Sequence, residues 1–351
     1  MIKEPAQSVD EILDRGFSDT ELTPLKDQLE PYLKGLGDGS RKYEGLESGF
    51  EQFDNLIDGL SRFVLLAGRG GVGKTSLALQ VAIGICEIEQ IPVIFYSFEM
   101  SRQDIITMLI QNKSRKLLRA DIEKRGNAKD LPKERRAEID KAVEKLKEFG
   151  ERFYILDSSD KTPDLVDIEK QIEEVKRQHK SKDILIVLDS LQDIIPDLSG
   201  INRNMNQTQA EVLVAQKIVE IQQKTNATIL AVCQKNKAGA KTGGYTSVYG
   251  SVSFIHKPTL VLEMIGGQEA IEIAKESGKV KPGMIKELEE AVMKNTKDPD
   301  TPYPVYLRII KGRNCGYGGL AMKFYGAYRY YEVGETEGFD GVMQTIEEVG
   351  L

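Results

Sequence analysis

The segment GRGGVGKTS sets glycines at Gly68, Gly70, Gly71 and Gly73, then Lys74 and Thr75, which is the spacing G-x-x-x-x-G-K-[ST]. Glycines let a loop curl so that successive backbone N–H groups point inward at an anion. Arg69, Val72 and Ser76 complete the loop, which opens onto a helix N-terminus whose positive dipole end favours phosphate. Lys74 is placed to reach β- and γ-phosphates, and the Thr75 hydroxyl to ligate Mg²⁺. The apolar run FVLLA (63–67) precedes the loop and the helical KTSLALQVAIGICEIE follows it, the context that confirms this motif. ATP and Mg²⁺ are therefore the expected cofactors.

Two carboxylates end apolar runs. ILIVLDS places Asp189 at the end of a buried strand, where the magnesium shell needs its second protein contact. IPVIFYSFEMS places Glu99 where a strand buried on both faces meets the helical SRQDIITMLIQ. A carboxylate on the carboxyl edge of an open α/β sheet could orient and deprotonate a water attacking the γ-phosphate. The local alternative is that Ser101 caps the helix and Glu99 is merely solvated.

The elements that must position these groups are those of an α/β protein. From Phe63 the chain alternates apolar strands (63–67, 92–98, 152–157, 183–189, 227–233) with amphipathic helices, which predicts a mostly parallel sheet covered on both faces. A charged pair of helical stretches spans about 120–149. Beyond Pro258 the runs TLVLEM, PVYLRII, LAMKFY and YRYYEV predict an antiparallel extension. The charged, helical segment 265–303 reads as a surface insertion, with a small partner-docking unit as the alternative. Residues 1–44 carry two short amphipathic candidates, limited by Pro24 and Pro31. That arm is too small for its own core and is expected to pack on something else.

The chain has 351 residues, 40% hydrophobic and 29% charged, the balance of a soluble globular protein with a sizeable core. No apolar run approaches the roughly 18–20 residues that span a bilayer, so no membrane partner is expected. The N-terminus lacks the basic start and apolar centre of a signal peptide, which predicts a cytoplasmic address. Cys86, Cys233 and Cys315 lie far apart and only His179 and His256 accompany them, which argues against disulfides and structural zinc. The net charge of −7 works against a broad nucleic-acid-coating surface but leaves room for a local basic lining.

YSFEMS resembles the S-L-E-M-S signature of DnaB-like replicative helicases, whose motor is a RecA-type ATPase. The likeness runs on through LESGFEQFDNLIDGL (46–60), LLRADIEKRG, IVLDSLQDI, LAVCQKNK and IIKGRNCGYGGLAMKFYGAYRYYE, covering roughly 45–335 apart from 265–303. It implies a RecA-like P-loop NTPase domain over 45–335, an N-terminal linker arm over 1–44 that packs on a neighbouring subunit, and a tail over 336–351. It implies Gln234 as the polar γ-phosphate sensor, and Lys311 with Arg313 reaching a neighbour's γ-phosphate across a subunit interface. An arginine supplied in trans neutralises transition-state charge.

The resemblance further implies a homo-hexameric ring that translocates on single-stranded DNA and unwinds duplex in replication, with a primase or a helicase loader as partner. Only about 44 residues precede the motor-like segment, so the family's N-terminal helical domain is expected to be absent. The sequence departs from that family in the DNA-facing loop, where SVYGSVSFIHKPT keeps Gly250 and Ser251 but not the family's arginine and acids. Lys235, Lys237, Lys241, Tyr245 and Tyr249 could still track a phosphate backbone and stack a base, and Arg203 charges a second loop. A simply solvated loop explains the same residues. Two other classes stand beside the helicase: a KaiC-like regulatory or scaffolding ATPase without unwinding activity, and an inactive helicase relative acting within another ring. The residue after Glu99 is Met100, as in the helicases, and retained Lys74, Glu99, Asp189 and Arg313 speak against lost hydrolysis.

Overall fold

A computed structural model describes residues 24–35, 42–124, 131–157, 165–194, 207–235, 256–295, 298–312, 315, 318–336 and 338–348. By contact density the chain divides into two units, Met1–Lys42 and Tyr43–Leu351. In the first, helix α1 (Leu25–Gly35) starts after Pro24 and runs through Pro31. Leu25, Leu29 and Leu33 recur every fourth residue, which places them on one face, and all three are exposed.

The second unit is built on one nine-stranded sheet. After α2 (Glu51–Ile57) come β1 (Phe63–Gly68), α3 (Lys74–Ile88), β2 (Val93–Ser97), α4 (Arg102–Ser114), α5 (Arg119–Glu123) and α6 (Lys133–Lys147). Then follow β3 (Phe153–Asp157), α7 (Leu165–His179), β4 (Leu185–Asp189), α8 (Gln207–Thr225), β5 (Thr228–Gln234) and β6 (Leu260–Gly266). The chain closes with α9 (Gly267–Ser277), α10 (Pro282–Asn295), β7 (Tyr303–Gly312), β8 (Gly319–Tyr325), β9 (Tyr330–Val333) and α11 (Phe339–Glu348). The strand order is β3-β2-β4-β5-β1-β6-β7-β8-β9.

Alternation decides which face each strand residue serves. Val64, Leu66, Val93, Phe95, Val187 and Leu230 pack with α3 and α4 on one face. Phe63, Leu65, Ile94, Tyr96, Ile186 and Ile229 pack with α7 and α8 on the other. Both faces are buried along β1, β2 and β4, so these strands read as nearly unbroken apolar runs.

Two expectations are corrected. The strand TLVLEM does not begin the antiparallel part: β6 pairs parallel with β1, and the direction reverses only between β6 and β7. The helices of 265–303 are not merely a solvated insertion. Ala270, Ile271, Ala274, Leu288 and Val292 share a core with Phe339, Val342, Met343 and Ile346 of α11, inside the segment read as a tail. Cys86 and Cys233 are buried free thiols, pushed by burial up to about 11 and about 12, and Cys315 is a half-buried one. Among the described residues no helix is long and apolar enough to cross a membrane.

Candidate functional site: a phosphate loop at the carboxyl edge of the sheet

The strand order sets the carboxyl ends of β2, β4, β5 and β1 side by side. Register places Ser97 opposite Asp189, Asp189 opposite Val232, and Gln234 opposite Gly68. Four segments far apart in sequence thus end on one edge, where open α/β sheets hold ligands. A cavity of about 310 Å³ opens there, lined by Gly70, Gly71, Gly73, Lys74, Thr75 and Ser76. Glu99, Asp189 and Gln234 line the same cavity. Gly68, Arg69 and Val72 shape the loop without lining it.

The loop is held from two sides. Gly73 has φ +94°, and a Cβ there would stand 2.2 Å from the Tyr331 hydroxyl. That hydroxyl donates to the Val72 carbonyl at 2.8 Å, so the C-terminal hairpin β8–β9 buttresses the loop from behind. On the cavity side, a Cβ on Gly70 would stand 2.7 Å from the Gln234 amide nitrogen. Glycine at Gly73 is therefore a matter of room as well as of backbone angle, whereas at Gly70 it leaves space for the Gln234 amide. Lys74 donates to the carbonyls of Gly68 and Arg69 at 3.0 and 2.9 Å. Burial lowers its pKa, against the opposing pull of Cys233, Asp189 and Glu99.

Asp189 is buried at 2% exposure. Burial pushes its pKa up to about 6; a hydrogen bond from Thr75 and the charge of Lys74 offset that only in part. A hydroxyl and an under-compensated buried carboxylate at a phosphate loop fit a hard divalent cation such as Mg²⁺. Such an ion takes one or two protein oxygens and draws the rest of its shell from water and phosphate. Glu99 is exposed and faces the cavity. Ser101 caps α4, its Oγ accepting from the Asp104 N–H at 3.2 Å, as the local alternative expected. Ser101 thus fixes the start of α4 immediately after Glu99.

Other expected site residues lie elsewhere. The Arg69 guanidinium turns away from the cavity onto α9, pairing with Glu269 at 3.1 Å and Glu272 at 2.5 Å. Lys235 corrects the expectation of a DNA contact: it is buried, and its ammonium is held by Glu263 and by Glu269 at 2.9 Å. Lys311 does not line the cavity; its ammonium donates to the carbonyls of His256 and Pro258 at 2.6 and 2.7 Å. Arg313, Arg203, Lys237, Lys241, Tyr245, Tyr249, Gly250 and Ser251 lie outside the described residues.

Sequence reasoning missed a second charged centre beside the first. Glu263, in the middle of β6 and fully buried, accepts from both Lys235 and Arg308, the latter at 2.6 and 3.0 Å. Burial alone would raise its pKa, but Arg308 and Lys235 outweigh that and hold it below the usual carboxylate range. The signal available was one acid inside LVLEMIG and one base inside YLRII. It also missed Arg329, which lines the cavity with Met100 and Met108.

A phosphate loop, a strand-end acid bonded to its threonine and a second acid at the neighbouring strand end define, on this sheet, a RecA-like P-loop NTPase domain. Solved structures agree on the fold. A solved ATPase domain superposes with a TM-score of 0.71 at 18% identity, over 90% of this chain and 100% of that one. A DnaB-like replicative helicase, solved in a study of its interactions with primase, gives 0.68 at 17% identity, over 92% of this chain and 70% of that one. The sequence profile of the DnaB-like helicase C terminal domain matches residues 45–243, more than half of the chain, and the chain belongs to that family. A replicative DNA helicase DnaB of Buchnera aphidicola is 26% identical over 55% of this chain and 40% of its own length. A probable plasmid replicative DNA helicase of Chlamydia trachomatis is 30% identical over 46% and 34%. A probable replicative DNA helicase of Trieres chinensis is 35% identical over 19% and 15%. The matches span less than half the length of these curated relatives.

Proposed function

We propose that the chain is the ATP-hydrolysing motor of a DnaB-like helicase, which translocates on single-stranded DNA and unwinds duplex during replication. The observation that carries this reading is the convergence of Lys74, Thr75, Asp189, Glu99 and Gln234 on one cavity. Loop N–H groups and Lys74 bind the phosphates, and Thr75 with Asp189 would hold Mg²⁺, which supplies charge neutralisation at the phosphates when bound. Glu99 accepts a proton from, and orients, the water that attacks in line. Gln234 reports the γ-phosphate to β5. Arg313 and Lys311 act on a neighbour's nucleotide, so that the working form is a homo-hexameric ring.

In this reading 45–335 is the motor and 1–44 the arm that packs on an adjacent subunit, which the exposed Leu25, Leu29 and Leu33 of α1 support. A primase or helicase loader is the protein partner, and the cytoplasm the compartment. The buried, neutralised Lys235 favours the second reading, a KaiC-like regulatory ATPase without unwinding activity. Steady-state ATP turnover at several protein concentrations, with and without single-stranded DNA, separates the two. Strong stimulation by DNA supports the helicase, whereas robust turnover indifferent to DNA sinks it in favour of the regulatory ATPase.

A further inference from the structure

Arg329 has a fixed backbone and a free charge. It is the last residue of the turn between β8 and β9, with φ 58°, and its carbonyl accepts from Asn112 of α4 at 2.9 Å. Gln111, also on α4, donates to the Ala327 carbonyl at 2.8 Å. Gln80 of α3 both donates to and accepts from the Tyr331 backbone, at 3.0 and 2.7 Å. Two buried amides on α4 and a half-buried one on α3 thus hold the hairpin, and Arg329 forms part of the cavity wall with Ser76 and Met108.

Its guanidinium has no carboxylate partner among the described residues, whereas Arg69, Arg119 and Arg308 are each ion-paired. Half-burial without a counter-charge is costly, and burial followed by the like charge of Arg119 lowers the Arg329 pKa. An anion in the cavity that Arg329 lines would supply the missing partner. Asn112 anchors the Arg329 carbonyl well past Glu99 on α4, and Gln80 anchors the nearby Tyr331 backbone more than a helical turn past Lys74 on α3. Arg329 therefore enters from the helix side, while Glu99, Asp189 and Gln234 enter from the strand ends.

We propose that Arg329 is a nucleotide-binding residue whose guanidinium pairs with the α-phosphate of a nucleoside di- or triphosphate seated in the phosphate loop. The inference rests on reading the cavity as a nucleotide site. A contact at the α-phosphate is common to ADP and ATP, so losing it weakens both alike and leaves the γ-phosphate chemistry in place.

The test is calorimetric titration of the full chain, as wild type, Arg329→Gln, Arg329→Ala and Arg329→Lys, with ADP and with a non-hydrolysable ATP analogue. Thermal unfolding of each variant is measured alongside. Hydrogen bonds to charged groups set the expected loss at about tenfold or more in Kd for both ligands in the Gln and Ala variants. The Lys variant recovers part of it, and wild-type affinity falls more steeply with salt than that of Arg329→Gln. Wild-type binding with unchanged affinity and an unchanged salt slope in a folded Arg329→Gln or Arg329→Ala protein overturns the role of Arg329 alone. No binding of either nucleotide to the wild type overturns the nucleotide site itself, and Arg329's role with it.

Discussion

Asp189 and Glu263 are both buried carboxylates on one sheet, at 2% and 0% exposure, and their surroundings pull them in opposite directions. Asp189 ends β4 at the mouth of a cavity, with only a threonine hydroxyl and a nearby lysine to offset burial, and sits at about 6. Glu263 lies within β6, flanked by Lys235 and Arg308, and is held low. A buried acid with unsatisfied capacity is a place for a cation and for chemistry. A buried acid whose charge is already matched is a clamp. Burial alone tells neither apart; the count and placement of counter-charges does.

Removing each acid should therefore break different things. Asp189→Asn is expected to cut ATP turnover on the order of 10²–10³-fold, the scale of losing one preorganised electrostatic contact. Its melting temperature should be no lower than wild type, because a neutral isostere carries no buried charge. A turnover within a few-fold of wild type at saturating ATP and Mg²⁺ would count against its place at the phosphates.

Glu263→Gln should act the other way round, destabilising the fold by about 3–5 kcal/mol in denaturant titrations because two cations lose their shared partner. An unchanged midpoint would show that Lys235 and Arg308 are satisfied without it.

The same clamp sets an acid limit. A carboxylate held low in the folded state contributes stability above its unfolded pKa, about 4.3 for glutamate. That contribution is lost as pH falls through the lower folded value. Wild type should thus lose stability more steeply below about pH 4.5 than Glu263→Gln, as read by melting curves across pH.

The smallest effect belongs to the helix that follows Glu99. Ser101→Ala removes the cap of α4 and should cost about 1 kcal/mol. Turnover should drop only a few-fold, since Glu99 itself remains.

What the sequence made legible follows from how local each signal is. The phosphate loop is contiguous, and its strand and helix flank it in the chain, so Gly68 to Ser76 could be read directly. Asp189 and Glu99 were legible because each ends an apolar run, Gln234 came only through the likeness of LAVCQKNK to the helicase family, and a parallel sheet brings such strand ends to one edge. The clamp was not legible, because Glu263 meets Arg308 through the register of β6 on β7 and meets Lys235 across the same sheet. Reading Lys235 as a DNA contact failed for that reason. Its own neighbours in sequence say polar loop, while the partners that bury it are Glu263 and Glu269. The direction of β6 was equally hidden, since an apolar run looks the same whichever way its neighbour points. The hairpin behind the loop was hidden too: Tyr331 reaches Val72 only through the closing strands.

The most direct measurement compares steady-state ATP turnover of Glu99→Gln with that of Glu263→Gln, each normalised to folded protein. Glu99→Gln should stay folded and lose about 10²–10⁴-fold, the range for a positioned general base. Glu263→Gln should keep near-normal turnover in its folded fraction, below its lowered melting temperature. Near-wild-type turnover in Glu99→Gln would contradict the assignment of chemistry to the open strand edge.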